Sequence, residues 1–384
     1  MTTKAPDGQA RTVDTVLLKV ASRCNLDCSY CYVYHMGDDA WRDQPKLMSH
    51  AVVETVAASL GAQYRKQQTP FSVVMHGGEP LMLGGTRLRA MCEALRAELP
   101  HPCGLHIQTN GVLLTDDLID ILVAYDVGVS ISIDGPAQVH DRFRVDHQKH
   151  GSHARVLASI ARLVARSDAS SLFAGVLAVI DPESDPIEVY QSLKATGAPS
   201  LDFLVRDGNW DLLPFGKLSA SSIEYGDWLA RLLKHYLSDL NPPRIRILDD
   251  MMRLLLGGSS QKEGVGNTDY GILVIEADGR IDKNDTLKVA HPAADRFERP
   301  WSILRDTLDV FLASPGYDDY FNQQSRLSTT CIACPDRPVC GGGMVAHRWS
   351  RENGFENPTI FCADQKHLIA EMRDLLRKLA ARAA

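Results

Sequence analysis

Seven of the nine cysteines in this 384-residue chain fall into two groups whose spacing could hold metal. The first is Cys24, Cys28 and Cys31, inside the stretch SRCNLDCSYCYVYHMGD. A closed structural zinc site takes four protein ligands, usually as two separated pairs, and this loop offers three. Three thiolates suit a 4Fe-4S cluster with one iron left for an outside ligand. The competing reading is a zinc site completed from elsewhere in the chain, for which Cys-x3-Cys-x2-Cys is an atypical spacing. The second group is Cys331, Cys334 and Cys340 in CIACPDRPVCGGGM, with Cys362 behind it. By spacing alone it could be a four-cysteine zinc site. Cys92 and Cys103 stand alone and read as small core residues.

The elements that must position these groups show in the periodicity. From about Thr12 to Leu240, short β-branched or apolar runs such as TVLLKVAS, FSVVMHGG, VGVSISIDG and LFAGVLAVI alternate with helical stretches. That alternation predicts right-handed βαβ units and a parallel sheet, here a partial (β/α)6 barrel of the TIM type, two units short of the full eight. The first cysteine group follows the first strand, at the carboxyl end where such barrels place their chemistry. Parallel strands are normally apolar on both faces. In LHIQTNG, however, His106, Gln108 and Asn110 share a face, and in SISID so do Ser130, Ser132 and Asp134. Either the barrel interior binds something polar or these are edge strands with a solvated face.

After LNPPRIRI the rhythm changes. YGILVIEADGRIDKND predicts a β-hairpin turning at Asp278-Gly279. Cysteine-rich loops follow, then a terminal helix with Leu368, Met372, Leu375 and Leu379 at helical spacing. The expected division is a flexible N-terminus over 1–14, the barrel over 15–240, and a smaller C-terminal domain over 241–384 entered through a linker at 241–246. A formal charge of −7 with no basic stripe argues against nucleic acid as a partner. No apolar run approaches the roughly 18 to 20 residues that cross a bilayer, and the polar start lacks the apolar stretch of a secretion signal. The expectation is a cytoplasmic protein whose grouped thiols, in a reducing compartment, hold metal rather than form disulfides.

Cys-x3-Cys-x2-Cys with Tyr30 just before the last cysteine resembles the signature of the radical S-adenosylmethionine (radical SAM) enzymes. The resemblance implies that the open iron takes the amino and carboxylate groups of SAM, which the reduced cluster cleaves to a 5′-deoxyadenosyl radical. It also implies roles for later motifs. GGEP (Gly77, Gly78, Glu79 and Pro80) would meet the SAM amino group. QTNG (through Gln108 and Asn110) and SIDG (through Ser132 and Asp134) would contact ribose and carboxylate. Arg144 would take the SAM carboxylate or stand as a solvated helix-edge arginine, and Val179 would face the adenine. The second cysteine group resembles the SPASM extension of peptide-modifying relatives. Met344 stands where that family has a further cysteine, Asn284 stands at another cysteine position, and the window before it holds none. The four surviving cysteines form the complete set for one auxiliary cluster, so two 4Fe-4S clusters are expected, one SAM-binding and one auxiliary. Asp285, next to the vacated position, matches the aspartate that removes a substrate proton in sulfatase-maturing relatives, or is a turn-flanking aspartate.

CYVYHMGDDAWRDQPKLMS, the hairpin and CGGGMVAHRW look most like the cyclophane-forming, FxsB-like maturases. These link an aromatic ring carbon to the β-carbon of a nearby residue in a ribosomally made precursor peptide. A reducing donor such as flavodoxin or ferredoxin is implied as a second partner. The peptide would lie in a groove onto which Asp202 and Arg206 open, unless those two pair with each other. A sulfatase-maturing (formylglycine-forming) enzyme would share nearly every motif, and a zinc-stabilised module without catalysis is the third reading.

Overall fold

The computed structural model describes residues 11–260, 262–267 and 271–383. Residues 1–10 of the expected flexible terminus and the side chain of Leu379 lie outside what is described. Within the rest of that terminus, Val13 is buried in the core and Arg11 pairs with Asp318 at 2.8 Å.

Six strands and their helices alternate as the periodicity predicts. They are β1 (Thr15–Ala21), β2 (Ser72–Gly77), β3 (Leu105–Thr109), β4 (Val127–Ser132), β5 (Phe173–Val179) and β6 (Ser200–Leu204). Each is followed by a helix: α1 (His50–Gln67), α2 (Gly84–Glu98), α3 (Asp116–Ala124), α4 (His153–Ala165), α5 (Pro186–Lys194) and α6 (Glu224–Tyr236). All neighbouring strands in this series are parallel, which gives the open six-unit α/β barrel. Local chemistry sets several helix starts. Ser49, Thr115 and Asp185 accept a hydrogen bond from the first-turn amides of α1, α3 and α5, and Pro186 opens α5 where its missing N–H costs nothing.

The sheet does not stop at six strands. On one side β7 (Arg244–Ile245), inside the expected linker, pairs parallel with β6 and leads into α7 (Arg246–Leu255). On the other side β8 (Ile272–Ile275) pairs parallel with β1, and β9 (Arg280–Asp282) and β10 (Trp301–Ser302) follow antiparallel. The Asp278-Gly279 hairpin is therefore built, with Gly279 at φ +86°, but as a continuation of the barrel's own sheet. This pairing places the segment after β9 against β1. It also settles the polar faces of β3 and β4: both are interior strands with a neighbour on each side, so their half-buried Gln108 and Ser132 point into the barrel rather than into solvent.

The last helix, α8 (Cys362–Ala383), buries Leu368 and Met372 and packs on α6, where Gly226 passes so close to Asp364 that a Cβ would lie 2.5 Å from the Asp364 carbonyl. Cys92 and Cys103 are fully buried core residues. Among the described residues, no helix is long and apolar enough to cross a membrane.

A buried ion pair clamps α8 to the barrel. Lys217 Nζ donates to Asp364 Oδ2 at 2.6 Å and to the Ser222 carbonyl, and Gly226 N donates to Asp364 Oδ1 at 2.9 Å. Removing one partner of such a pair leaves a charge buried without compensation. Lys217→Met is expected to destabilise the fold by about 3–5 kcal/mol, and the double change Lys217→Met/Asp364→Leu to recover much of the loss. Thermal unfolding of the two variants against the parent checks this; equal losses in single and double variants would contradict the clamp.

Candidate active site

The chain leaves β1 at Ala21 and turns through the three-cysteine loop into a short helical turn, Tyr32–His35. Gly77 and Gly78, at the end of β2, are what let this loop close over the sheet. A Cβ on Gly78 would lie 2.1 Å from the Tyr34 hydroxyl and 2.2 Å from the Arg23 carbonyl, so only glycine fits. Cys24 Sγ accepts from Leu26 N at 3.4 Å and Asn110 Nδ2 at 3.7 Å. Burial pushes the Cys24 thiol up to about 12, with Glu79 adding to the effect, and the Cys31 thiol up to about 11, with Cys28 adding. Thiolates here need a cationic partner. A tetrahedral zinc with Zn–S bonds of about 2.3 Å would hold its sulfurs ~3.8 Å apart. Among the described residues no three of the seven grouped sulfurs lie within 4.8 Å of one another, so neither set is gathered as tightly as one tetrahedral zinc requires.

All three cysteines border a cavity of about 480 Å³. Tyr30, Gly77, Gly78, Gln108, Asn110, Ser132, Arg144 and Val179 line it as well, so eight of the eleven residues expected to hold a cosubstrate surround one space beside the cysteines. The other three, Glu79, Pro80 and Asp134, stand behind that wall. Glu79 is 1% exposed, and its carboxylate accepts from Thr109 Oγ1 at 2.6 Å, Asn110 N at 2.8 Å and Leu81 N at 3.0 Å. It thereby fixes Asn110, whose side chain reaches Cys24. Pro80 opens the helical turn that Glu79 caps. Burial raises the Asp134 pKa while Arg144 and Tyr30 oppose it. Its carboxylate accepts from the Tyr30 hydroxyl at 2.5 Å and Val179 N at 3.1 Å, and Arg144 Nη1 donates to the Tyr30 oxygen at 2.8 Å. Arg144 is thus a buried cation anchored inside the site, not a solvated helix-edge residue, and its Nε has no protein acceptor.

Asp202 and Arg206 both line the cavity but do not pair with each other. Asp202 accepts from Arg246 at 3.1 Å and Lys262 at 2.8 Å. Arg206 is 5% exposed and lies over the rings of Phe143, Phe215 and Tyr30 at 3.7, 4.5 and 5.0 Å, where aromatic faces take the place of a carboxylate.

Asp285 is 2% exposed and sits just behind the cavity wall. It pairs with Lys19 of β1 and accepts from the Tyr32 hydroxyl at 2.8 Å. Burial alone would raise its pKa, but the Lys19 charge, His76 and the two hydrogen bonds win and hold the carboxyl well below the usual range. His76 is pulled the other way, down to about 4, by burial and by Lys19. Its Nδ1 accepts from Gly77 N at 2.8 Å, so the imidazole is neutral with its proton on Nε2. Tyr32 and His76 are the members of this group that line the cavity. Sequence reasoning passed over Lys19, Tyr32 and His76. The visible signal was a lone lysine in the otherwise apolar strand TVLLKVA, since a charge in a buried parallel strand must have a partner.

The second cysteine group converges on its own small cleft, lined by Cys331, Cys334, Cys340 and Cys362 together. Cys362 opens α8; burial raises its thiol pKa, with Lys366 opposing, and pushes the Cys340 thiol up to about 12. The loop is held by Arg348, 1% exposed, whose guanidinium donates to the carbonyls of Gly341, Gly342, Gly343, Gln324 and Arg326 at 2.7 to 3.2 Å. Gly341 at φ +62° passes so close to the Gly266 carbonyl that a Cβ would lie 1.8 Å from it. The positions that lack thiols are filled otherwise. Asn284 Nδ2 donates to Glu263 Oε1 at 2.7 Å, and Met344 lies against Gly264. Glu263, Gly264 and Met344 form part of the wall of the large cavity.

Comparison with known proteins agrees with this geometry. Residues 18–186 match the Radical SAM superfamily model. A cysteine-type anaerobic sulfatase-maturating enzyme of Clostridium novyi is 22% identical over 367 residues, spanning 93% of this chain and 94% of that one. The solved structure of native anSMEcpe with bound AdoMet and Cp18Cys peptide superposes with a TM-score of 0.80 at 20% identity, over 96% of this chain and 99% of that one. Streptococcus suis SuiB bound to precursor peptide SuiA gives a TM-score of 0.57 at 16% identity, over 87% and 72%. At such identities the structural likeness speaks for the fold, an α/β radical SAM core with an added C-terminal region. Residues 18–186, which carry the three-cysteine loop and the part of the cavity wall from Cys24 to Val179, form a Radical SAM superfamily region, and the chain that bears it is an enzyme.

Proposed function

We propose that this enzyme modifies a ribosomally made precursor peptide by a two-hydrogen oxidation, forming a cyclophane C–C crosslink between an aromatic ring and the β-carbon of a nearby residue. The observation that carries the reading is one cavity bordered both by a three-thiol site and by Tyr32, whose hydroxyl donates to the buried Asp285 that pairs with Lys19 just behind the wall. The cysteine trio would hold a 4Fe-4S cluster, with Gly77, Gly78, Gln108, Asn110, Ser132, Arg144 and Val179 around S-adenosylmethionine. Cys331, Cys334, Cys340 and Cys362 would hold one auxiliary cluster of a SPASM-like region, which would take the one electron left after the substrate has lost a hydrogen atom and a proton. When bound, the first cluster and its cosubstrate supply a radical that takes a hydrogen atom from the substrate. The protein's own share is to seat the substrate side chain and receive a proton. Asp285, kept ionised by Lys19, is the acceptor, and Tyr32 orients the substrate against it. Arg206, with its face of aromatic rings, suits an aromatic side chain entering the cavity.

A second reading, oxidation of a sulfatase cysteine or serine, is favoured by the maturating enzymes that match over the whole chain. Mass spectrometry separates the two. The peptide encoded beside the gene should lose two hydrogens and give crosslinked fragments, whereas an 18-residue sulfatase-type cysteine peptide converted to an aldehyde would establish the second reading instead. Asp285→Ala should cut modified peptide by about 10²-fold or more while 5′-deoxyadenosine is still formed; full yield would reject the base.

Metal content gives an independent check. Anaerobically reconstituted protein should be brown and carry about eight irons per chain. Arg348→Met, which strips the carbonyls of the second loop of their donor, should lower this to about four while the three-cysteine site keeps its iron. Colourless protein holding zinc would point to the scaffold reading.

A further inference from the structure

Next to Lys19, and separated from the large cavity by Gly77 and Gly78, which border both spaces, lies a second buried polar region to which no role has been assigned. A cavity of about 20 Å³ is bordered by Lys19, Trp41, Glu276, Arg280 and Lys288. That is room for one water, which needs roughly 10–15 Å³ and two to four polar partners. The partners are there. Trp41 Nε1 is a buried donor with no acceptor, Arg280 borders the cavity while its guanidinium pairs with Asp282 at 2.8 Å, and Glu276 presents a carboxylate at 6% exposure. Lys288 Nζ is 3.9 Å from Glu276 Oε1, outside hydrogen-bond reach, and is drawn instead to Asp295 at 2.9 Å. Lys19 borders this cavity, and its ammonium group pairs with Asp285.

Asp285 is a good place to receive a proton and a poor place to keep one, because the adjacent Lys19 charge favours the ionised form. The proton has to move on before the next turnover. Resting on the reading of Asp285 as the base, we propose that Glu276 is the positioning residue that drains it, through Lys19 and one water held by Trp41 and Arg280. Only protons move. Asp285 gains one from the substrate, Lys19 passes one of its own to the water, the water passes one to the Glu276 carboxylate, and Lys19 recovers the proton from Asp285. Lys19 and Asp285 end as they began, and Glu276 becomes a carboxylic acid.

The groups facing Glu276 suit that end state. Burial pushes its pKa up to about 7, the cations Lys19, Lys288 and Arg280 oppose this, and Asp282 reinforces it. Asp38 and Asp295 draw on the same Lys288 ammonium, so that cation is shared among several carboxylates. The carboxylates of Glu276, Asp282 and Asp295 approach within 4.8 Å of one another, and the Lys288 ammonium, 2.9 Å from Asp295 and 3.9 Å from Glu276, already supplies a cation beside two of them.

The test needs no knowledge of the physiological peptide. In cluster-loaded protein, infrared difference spectra taken as pH is stepped across neutrality should show one carboxyl protonating with a midpoint near 7. The signal should vanish in Glu276→Gln, persist but shift in Glu276→Asp, and rise by about one pH unit in Lys19→Met, where a favourable charge is lost. A carboxyl that stays ionised throughout, or a midpoint indifferent to Lys19, overturns the proposal. With a peptide that is turned over, product formed per 5′-deoxyadenosine should increase through the same pH range in the parent. It should fall about tenfold in Glu276→Gln and recover in part in Glu276→Asp; an unchanged ratio and pH profile in Glu276→Gln overturns it. Should the parent modify neither probe peptide, the proposed function fails, while the infrared titration still decides the role of Glu276.

Discussion

The ion pair between Lys19 and Asp285 is the constraint around which the site is arranged. Both groups are almost wholly buried, so each pays a desolvation penalty that only a close partner and further hydrogen bonds can offset. Lys19 rides on β1, the strand that delivers the three-cysteine loop. Asp285 follows β9, which is held to β1 through β8. The pair therefore requires the hairpin to extend the barrel sheet, and the hairpin in turn brings Glu276, Arg280 and Asp282 to the back of the same site. Neutral residues of similar size would hold the strands together as well or better. A charged pair at this place makes sense as chemistry.

The cavity owes its shape to a similar economy of parts. Glu79 does not face it, yet it fixes Asn110, and Asn110 reaches both Cys24 and the cavity. Asp134 likewise stands behind Tyr30, and Tyr30 carries Arg144. In both cases a buried carboxylate is satisfied by hydrogen bonds within the fold and passes its order to a residue one step nearer the substrate. On the far wall, Asn284, Glu263 and Met344 occupy the region where related chains are expected to bind a further cluster. Glu263 and Met344 line the large cavity, and Asn284 holds Glu263 by a hydrogen bond.

Much of this was legible in the chain alone. The alternation of strands and helices gave the six βα units, and the polar residues at every second position of β3 and β4 marked an interior that binds something polar. The spacing of Cys24, Cys28 and Cys31 announced an incomplete donor set. Other features were not legible. Arg144 read equally as a surface arginine, and Asp202 and Arg206 read either as facing a groove or as a pair, because alternation tells which face a side chain takes but not which neighbour it meets. Lys19 was overlooked because a single charge in an apolar strand carries no information about its partner 266 residues away.

What the sequence by itself determined is the chemistry available: three thiolates and four, a polar barrel interior, a hairpin with glycine at its turn. These are properties of residues near one another along the chain, where covalent spacing already limits geometry. What only the tertiary structure decided is which of those residues share a space. Pairing of β8 with β1 put Asp285 against Lys19 and Glu276 on the small cavity that Lys19 borders, and pairing of β6 with β7 turned Asp202 toward Arg246 and Lys262. Strand order across a sheet is set by burial of the whole apolar surface, a sum over the entire molecule that no local pattern contains.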